Sequence, residues 1–250
     1  MNHFSLEGQV AMVTGCNKGL GQAMAVALAN AGADIVGVNR RPAPETRAAV
    51  EAQGRRFFDV EAALGKDSPA DIVARALDQA DQLDILVNNA GTIRRAPALE
   101  FSEADWDEVI DVNLKAAFFL AQQVGRHLVE RQATGRIVNI ASVLSFQGGI
   151  RVPSYTASKS GLLGLTRLLA NEWAAYGITV NAIAPGYMAT DNTQALRDDE
   201  HRSAEILGRI PAGRWGTPDD LAGAVVFLCS PAAAYVNGHA LAVDGGWLAR

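Results

Sequence analysis

The chain has 250 residues, 49% of them hydrophobic and 20% charged, with a formal net charge of −5 at pH 7. That suits one globular α/β domain; the acidic balance argues against nucleic acid as a general partner, and no apolar run approaches the roughly 20 residues of a membrane span. Two cysteines, Cys16 and Cys229, and four scattered histidines offer neither a disulfide framework nor metal-ligand spacing, so no metal site is expected.

In chain order, Met1 to Gln9 lacks the basic and apolar regions of a signal peptide, and a cytoplasmic protein is expected. A strand at 9–14 runs into Thr14-Gly15-Cys16-Asn17-Lys18-Gly19-Leu20-Gly21, which opens an amphipathic helix. Strand, glycine-rich turn and helix in that order make a phosphate cradle: glycines let the backbone turn and approach a pyrophosphate, and the helix start offers free N–H groups. A second strand, 33–39, ends at Asn39 and is followed at once by Arg40 and Arg41, with a helix from about Pro42. Strand 55–60 ends in Asp59-Val60, and a helix begins near Ser68. Strand 84–88 leads into Asn88-Asn89-Ala90-Gly91, small residues that let a ligand pass close to the backbone.

A helix from Glu103 carries the polar Asn113 inside Val109-Ile110-Asp111-Val112-Asn113-Leu114. Strand 135–141 delivers Ser142 at its carboxyl end, where a hydroxyl can reach a cleft and donate to a carbonyl oxygen. The next helix, from Ser154, holds Tyr155 and Lys159 four residues apart and therefore on one face. A cation beneath a phenol that lowers its pKa by roughly 3 units supplies about 4 kcal/mol, enough to make a tyrosine work near neutrality. Strand 178–184 runs into Pro185-Gly186, and 185–216, with helix around 192–208, is the longest irregular stretch and the expected substrate lid. A helix from Thr217 and a strand at 239–243 complete the pattern. This alternation predicts an α/β fold, a doubly wound parallel sheet of Rossmann type in a single domain over 1–250.

Taken together, Thr14 to Gly21, Asn88 to Gly91, Asn113, Ser142, Tyr155 with Lys159, Pro185-Gly186 with Thr190, and Asp244-Gly245-Gly246 resemble the short-chain dehydrogenase/reductase family over essentially the whole chain. The resemblance implies catalysis by Asn113, Ser142, Tyr155 and Lys159, with Tyr155 moving the proton, Ser142 orienting the reacting oxygen and Lys159 holding the nicotinamide ribose. Asn113 is either a satisfied core hydrogen bonder or, as the resemblance implies, the holder of a water relay to Lys159.

Gly15, Asn17, Lys18, Gly19, Leu20 and Gly21 are implied at the pyrophosphate and adenosine. Asp59 and Val60 are implied at the adenine, Asn89, Ala90 and Gly91 along the adenosine side, and Pro185, Gly186, Met188 and Thr190 at the nicotinamide. Members that use NAD usually end the second strand in an acidic residue; here Asn39, Arg40 and Lys18 favour NADP, with NAD possible.

The stretches Ser142 to Pro153 and Ile210 to Gly216 resemble the sugar-acid branch, implying a deoxy sugar acid of the 2-deoxy-D-gluconate or 2-dehydro-3-deoxy-D-gluconate type. Such an anionic small molecule calls for an arginine: Arg94 and Arg151, with Gln147, lie nearest the cleft in sequence, and Arg95, Arg202 and Arg214 stand second to them. A 3-oxoacyl carrier-protein reductase is the rival enzyme, and an idle dinucleotide sensor the rival of another class. The resemblance, with apolar helices at 105–130 and 154–176, also implies a homotetramer.

Overall fold

The computed structural model describes residues 3–250, so the first two residues of the amino-terminal stretch read above lie outside it. Seven parallel strands form one sheet in the order β3-β2-β1-β4-β5-β6-β7. They are β1 Val10–Thr14, β2 Asp34–Asn39, β3 Phe57–Glu61, β4 Ile85–Asn88, β5 Gly135–Ile140, β6 Ile178–Pro185 and β7 Ala240–Val243. Each falls within about two residues of its expected place, because runs such as Val10 to Val13 and Ile178 to Ile183 are buried on both faces and read as continuous apolar strands.

Nine α-helices are described: α1 Gly19–Asn30, α2 Pro44–Glu51, α3 Pro69–Ala80, α4 Glu103–Ile110, α5 Ala116–Glu130, α6 Pro153–Trp173, α7 Gln194–Asp198, α8 Glu200–Arg209 and α9 Ala222–Cys229. Sequence sets their starts plainly: Ser68 accepts from the Asp71 N–H before α3, and Ser102 from the Asp105 N–H before α4. One core cluster, with Leu28, Ile35, Ile85 and Val225, lies on the α1 and α9 face of the sheet. Another, with Met12, Leu86, Leu120 and Val180, lies on the α3 and α5 face.

The order reverses between β1 and β4, so the crevice at their carboxyl ends is where this architecture takes ligands. One feature differs from the sequence expectation. Helix 103–130 is interrupted by a π turn at Asp111–Lys115, closed by the Ala116 N–H on the Asp111 carbonyl. Within the stretch 185–216, α7 and α8 stand where helix was expected, around 192–208. Its base is pinched shut: Ala189 N–H donates to the Gly216 carbonyl at 2.7 Å and Gly216 N–H to the Tyr187 carbonyl at 3.0 Å. No described helix is long and apolar enough to cross a membrane.

Candidate active site

The glycine turn after β1 is built against the turn after β4. Thr14 Oγ1 accepts from the backbone N–H of Asn89 at 3.0 Å and Ala90 at 2.9 Å, while Asn89 Nδ2 donates to the carbonyls of Thr14 and Gly15. Gly15 has φ +66°, a left-handed value, and a Cβ placed on Gly21 would lie 2.2 Å from the Gly15 carbonyl oxygen. No side chain caps the start of α1, so its first N–H groups remain available. Such a cradle, tight against a Cβ at Gly15 and Gly21 and uncapped by any side chain at the start of α1, fits a dinucleotide pyrophosphate. Leu20 lies in the first turn of α1 and packs on the core.

At the end of β2, Asn39 is 4% exposed and faces the loop: its Oδ1 accepts from the Asn17 N–H at 3.1 Å and its Nδ2 donates to Cys16 Sγ at 3.5 Å. Its amide therefore braces the glycine turn, a role that the sequence did not suggest. Arg40 and Arg41 stand exposed just beyond it, and neither forms an ion pair among the described residues. Lys18 does, with Asp191 beyond β6, so the glycine loop and the segment after β6 are linked directly. Asp59 is held by Arg47 at 2.9 Å, with Val60 buried beside it on the edge strand β3. On the other side, a Cβ on Gly186 would lie 2.6 Å from Asp244 Cα, Met188 is buried, and the Thr190 N–H donates to Thr193 Oγ1 at 3.2 Å.

Asn113, Ser142, Tyr155 and Lys159 converge at the carboxyl ends of β4 and β5. Asn113 sits in the π turn and is 1% exposed. Its Oδ1 accepts from the Thr92 N–H at 2.8 Å, and its Nδ2 donates to the Thr92 carbonyl at 2.9 Å and to Ser158 Oγ at 3.2 Å. The side chain is thus satisfied within the protein, and the helix is widened where it meets the cleft. Ser142 caps the short turn at Val143–Ser145, accepting from the Leu144 N–H at 3.1 Å. Lys159 is 4% exposed and donates to the Ile140 carbonyl at 2.6 Å. Its Nζ lies 5.7 Å from the centre of the Tyr155 ring. A Cβ on Gly91 would lie 3.3 Å from Asn113 Oδ1 and 3.7 Å from Lys159 Nζ, so that glycine brings the two groups to one corner.

The electrostatics correct one expectation. Lys159 was expected to pull the Tyr155 phenol down. Instead, burial pushes the phenol above its ordinary value, and a hydrogen bond with Ser142 and the charge of Arg95 work the other way. Burial likewise pushes the Lys159 ammonium down to about 8. Both groups lose water, which disfavours the charged form of each. Tyr155 is therefore held as a phenol, poised to donate.

Of the arginines, Arg94 meets Glu108 at 2.6 Å and Asp105 at 3.4 Å and also donates to Thr92 and Ile93, so its fork is occupied. Arg202 and Arg214 are likewise ion-paired, with Glu205 and Asp220. Arg95 has no acidic partner among the described residues; it donates to the Asn192 carbonyl, in the segment after β6, at 2.9 Å, and its charge reaches Tyr155. Arg151, exposed and at φ 64°, lies on the adjoining loop, its carbonyl accepting from the Ala96 N–H at 3.1 Å. The Gln147 carbonyl oxygen is engaged by Trp247 and Arg209. A buried chain that sequence reading passed over runs from Asn88 Nδ2 to Asn139 Oδ1 at 3.0 Å and from Asn139 Nδ2 to Thr166 Oγ1 at 2.9 Å, tying β4 to β5 and α6. The signal was there: an asparagine between Val138 and Ile140 in β5, in register with Asn88.

Residues 15–248 match the protein-family model described as Enoyl-(Acyl carrier protein) reductase. The 2-dehydro-3-deoxy-D-gluconate 5-dehydrogenase of Escherichia coli (strain K12) is 62% identical over 251 aligned positions, covering 100% of this chain and 99% of that protein. A crystal structure from Agrobacterium tumefaciens, of a candidate 2-deoxy-D-gluconate 3-dehydrogenase with bound NADP, superposes with a TM-score of 0.93 at 57% identity and covers 100% of both chains. A gluconate 5-dehydrogenase from Burkholderia cenocepacia J2315, in complex with NADP and tartrate, gives 0.94 at 38% identity, covering 100% of this chain and 98% of that one.

Proposed function

The chain belongs to the short-chain dehydrogenase/reductase family, and from that premise we propose that it oxidises the secondary alcohol at carbon 5 of 2-dehydro-3-deoxy-D-gluconate, with NADP as cofactor. The observation that carries the reading is the meeting of Ser142, Tyr155 and Lys159 at the end of β5, in a chain so like a dehydrogenase of that acid. The bound NADP of two neighbouring structures supports the cofactor, as do the uncharged Asn39 and the unpaired Arg40.

The dinucleotide, held by the glycine turn, the Asn89 to Gly91 turn and the segment after β6, supplies a hydride acceptor on the nicotinamide side of the cleft. The side chains do the rest. Ser142 hydrogen-bonds the reacting oxygen and fixes it against Tyr155. Tyr155 takes the hydroxyl proton in oxidation and returns it in reduction. Because burial favours the phenol, reduction finds Tyr155 already protonated, while oxidation needs the phenolate and runs better as pH rises. Lys159, anchored on the Ile140 carbonyl, places positive charge beside the Tyr155 ring for as long as it keeps its own proton, below about pH 8.

The substrate carboxylate lies four bonds from carbon 5. Arg95, unpaired with any acid and close enough for its field to act on Tyr155, receives it, with Arg151 on the adjoining loop. The excursion between Met188 and Gly216 closes over it as a lid. Trp106, Phe119 and Leu168, 40%, 39% and 46% exposed on α4, α5 and α6, support a homotetramer joined through those helices. A cytoplasmic enzyme completes the reading.

Dinucleotide-coupled turnover tests it, with 2-dehydro-3-deoxy-D-gluconate, 2-deoxy-D-gluconate and an acetoacetyl thioester as substrates and Tyr155→Phe as control. The first acid should be preferred, and Tyr155→Phe should bind NADP yet lose turnover. Preference for the thioester would overturn the substrate, and cofactor binding without any turnover would leave a sensor. Light scattering that returns a monomer at micromolar concentration would overturn the tetramer.

A further inference from the structure

Gln147 lies in the loop that continues from Ser142, and Trp247 and Arg209 meet on its carbonyl oxygen. Trp247 Nε1 donates to Gln147 Oε1 at 2.9 Å, and an Arg209 guanidinium N–H donates to the same atom at 3.3 Å. The Arg209 guanidinium also lies 4.0 Å from the Trp247 ring centre, a stacked cation–π contact. Beneath this joint Val143, Ile206, Ile210 and Trp247 form a separate apolar cluster, each no more than 5% exposed. The cluster joins the residue next to Ser142 to the inner face of α8.

Arg250 completes the arrangement. Its guanidinium donates to the carbonyls of Gly208 at 2.8 Å and Arg209 at 3.2 Å, among the last carbonyls of α8, which have no partner within the helix. Asp244 sets the approach of this tail, accepting from the N–H groups of Gly246 and Leu248 at 2.9 Å each. The outer part of α8 is polar, so the helix has little else to hold it down.

We propose that Gln147, Trp247 and Arg250 are positioning residues that fasten the lid helix α8 to the loop carrying Ser142, and so set how firmly the lid holds the sugar acid. Gln147 then serves as the joint of the lid rather than as a ligand of the substrate. The fastening itself depends only on the fold; its effect on the substrate rests on the function proposed above.

Trp247→Phe removes one donor and keeps an aromatic ring in the cluster, Arg250→Ala removes the cap, and Arg250→Lys restores a cation. Hydrogen exchange of the amides in 200–210 should quicken in the first two variants and recover in the third. The KM for 2-dehydro-3-deoxy-D-gluconate should rise about three- to tenfold, the loss of one or two hydrogen bonds, with kcat and NADP affinity within about twofold. Unchanged exchange would overturn the fastening, and quickened exchange with an unchanged KM, or an equal loss of NADP affinity, would overturn its effect on the substrate. A wild-type chain that fails to turn over the acid would refute the proposed substrate, while the exchange comparison still decides the fastening.

Discussion

Lys159→Met should abolish turnover and at the same time stabilise the fold at neutral pH. The ammonium is buried, and its pKa falls from 10.5 to about 8 with burial as the cause. That shift, 10.5 − 8 or about 2.5 units, corresponds to about 3 kcal/mol set against folding while the lysine is charged. Methionine removes the charge at similar volume but strips the Ile140 carbonyl of its donor at 2.6 Å, a loss of about 1 kcal/mol. A net gain of about 1–2 kcal/mol remains, a few degrees in Tm for a chain of this size.

The sign follows from the two pKa values. Below pH 8 the lysine is charged in both folded and unfolded chains, and the whole penalty applies. From pH 8 to 10.5 the folded chain sheds its proton first, so wild type gains on the variant, and above that range the gap in charge vanishes. Thermal unfolding of both proteins at pH 7, about 8.5 and about 10 reads this directly. A variant no more stable than wild type at pH 7, or a gap that does not shrink with pH, would refute the reasoning.

Three further outcomes are expected. Gly21→Ala should weaken NADP binding by about tenfold or more, since its Cβ would lie 2.2 Å from the Gly15 carbonyl and 2.4 Å from Asn89 Nδ2; titration followed by nicotinamide fluorescence checks it. Arg95→Ala should raise the KM for the sugar acid about tenfold and move the alkaline rise of the oxidation rate to higher pH, because the charge that lowers the Tyr155 pKa is gone, whereas Arg94→Ala should change either little. Arg40→Ala should cost about tenfold in kcat/KM with NADP and little with NAD, and Lys18→Ala less, since Lys18 is already paired with Asp191; comparing the two cofactors in each variant decides it.

Much of this could be read from the chain alone, because the signals are local. Apolar runs buried on both faces specify parallel strands wherever they are placed, and the glycine turn between Thr14 and Gly21 demands its own backbone shape. The four-residue spacing puts Tyr155 and Lys159 on one face of any helix. Those features need only neighbours in sequence. What the tertiary structure decided involves groups far apart in the chain. Asp105 and Glu108 occupy Arg94 and leave Arg95 unpaired, and Asn39 turns inward to Asn17 and Cys16 instead of outward. Trp247 takes the carbonyl of Gln147, one hundred residues away. The direction in which Tyr155 and Lys159 titrate also belongs here, since loss of water to the surrounding packing sets both and, at Tyr155, outweighs the Ser142 hydrogen bond and the charge of Arg95.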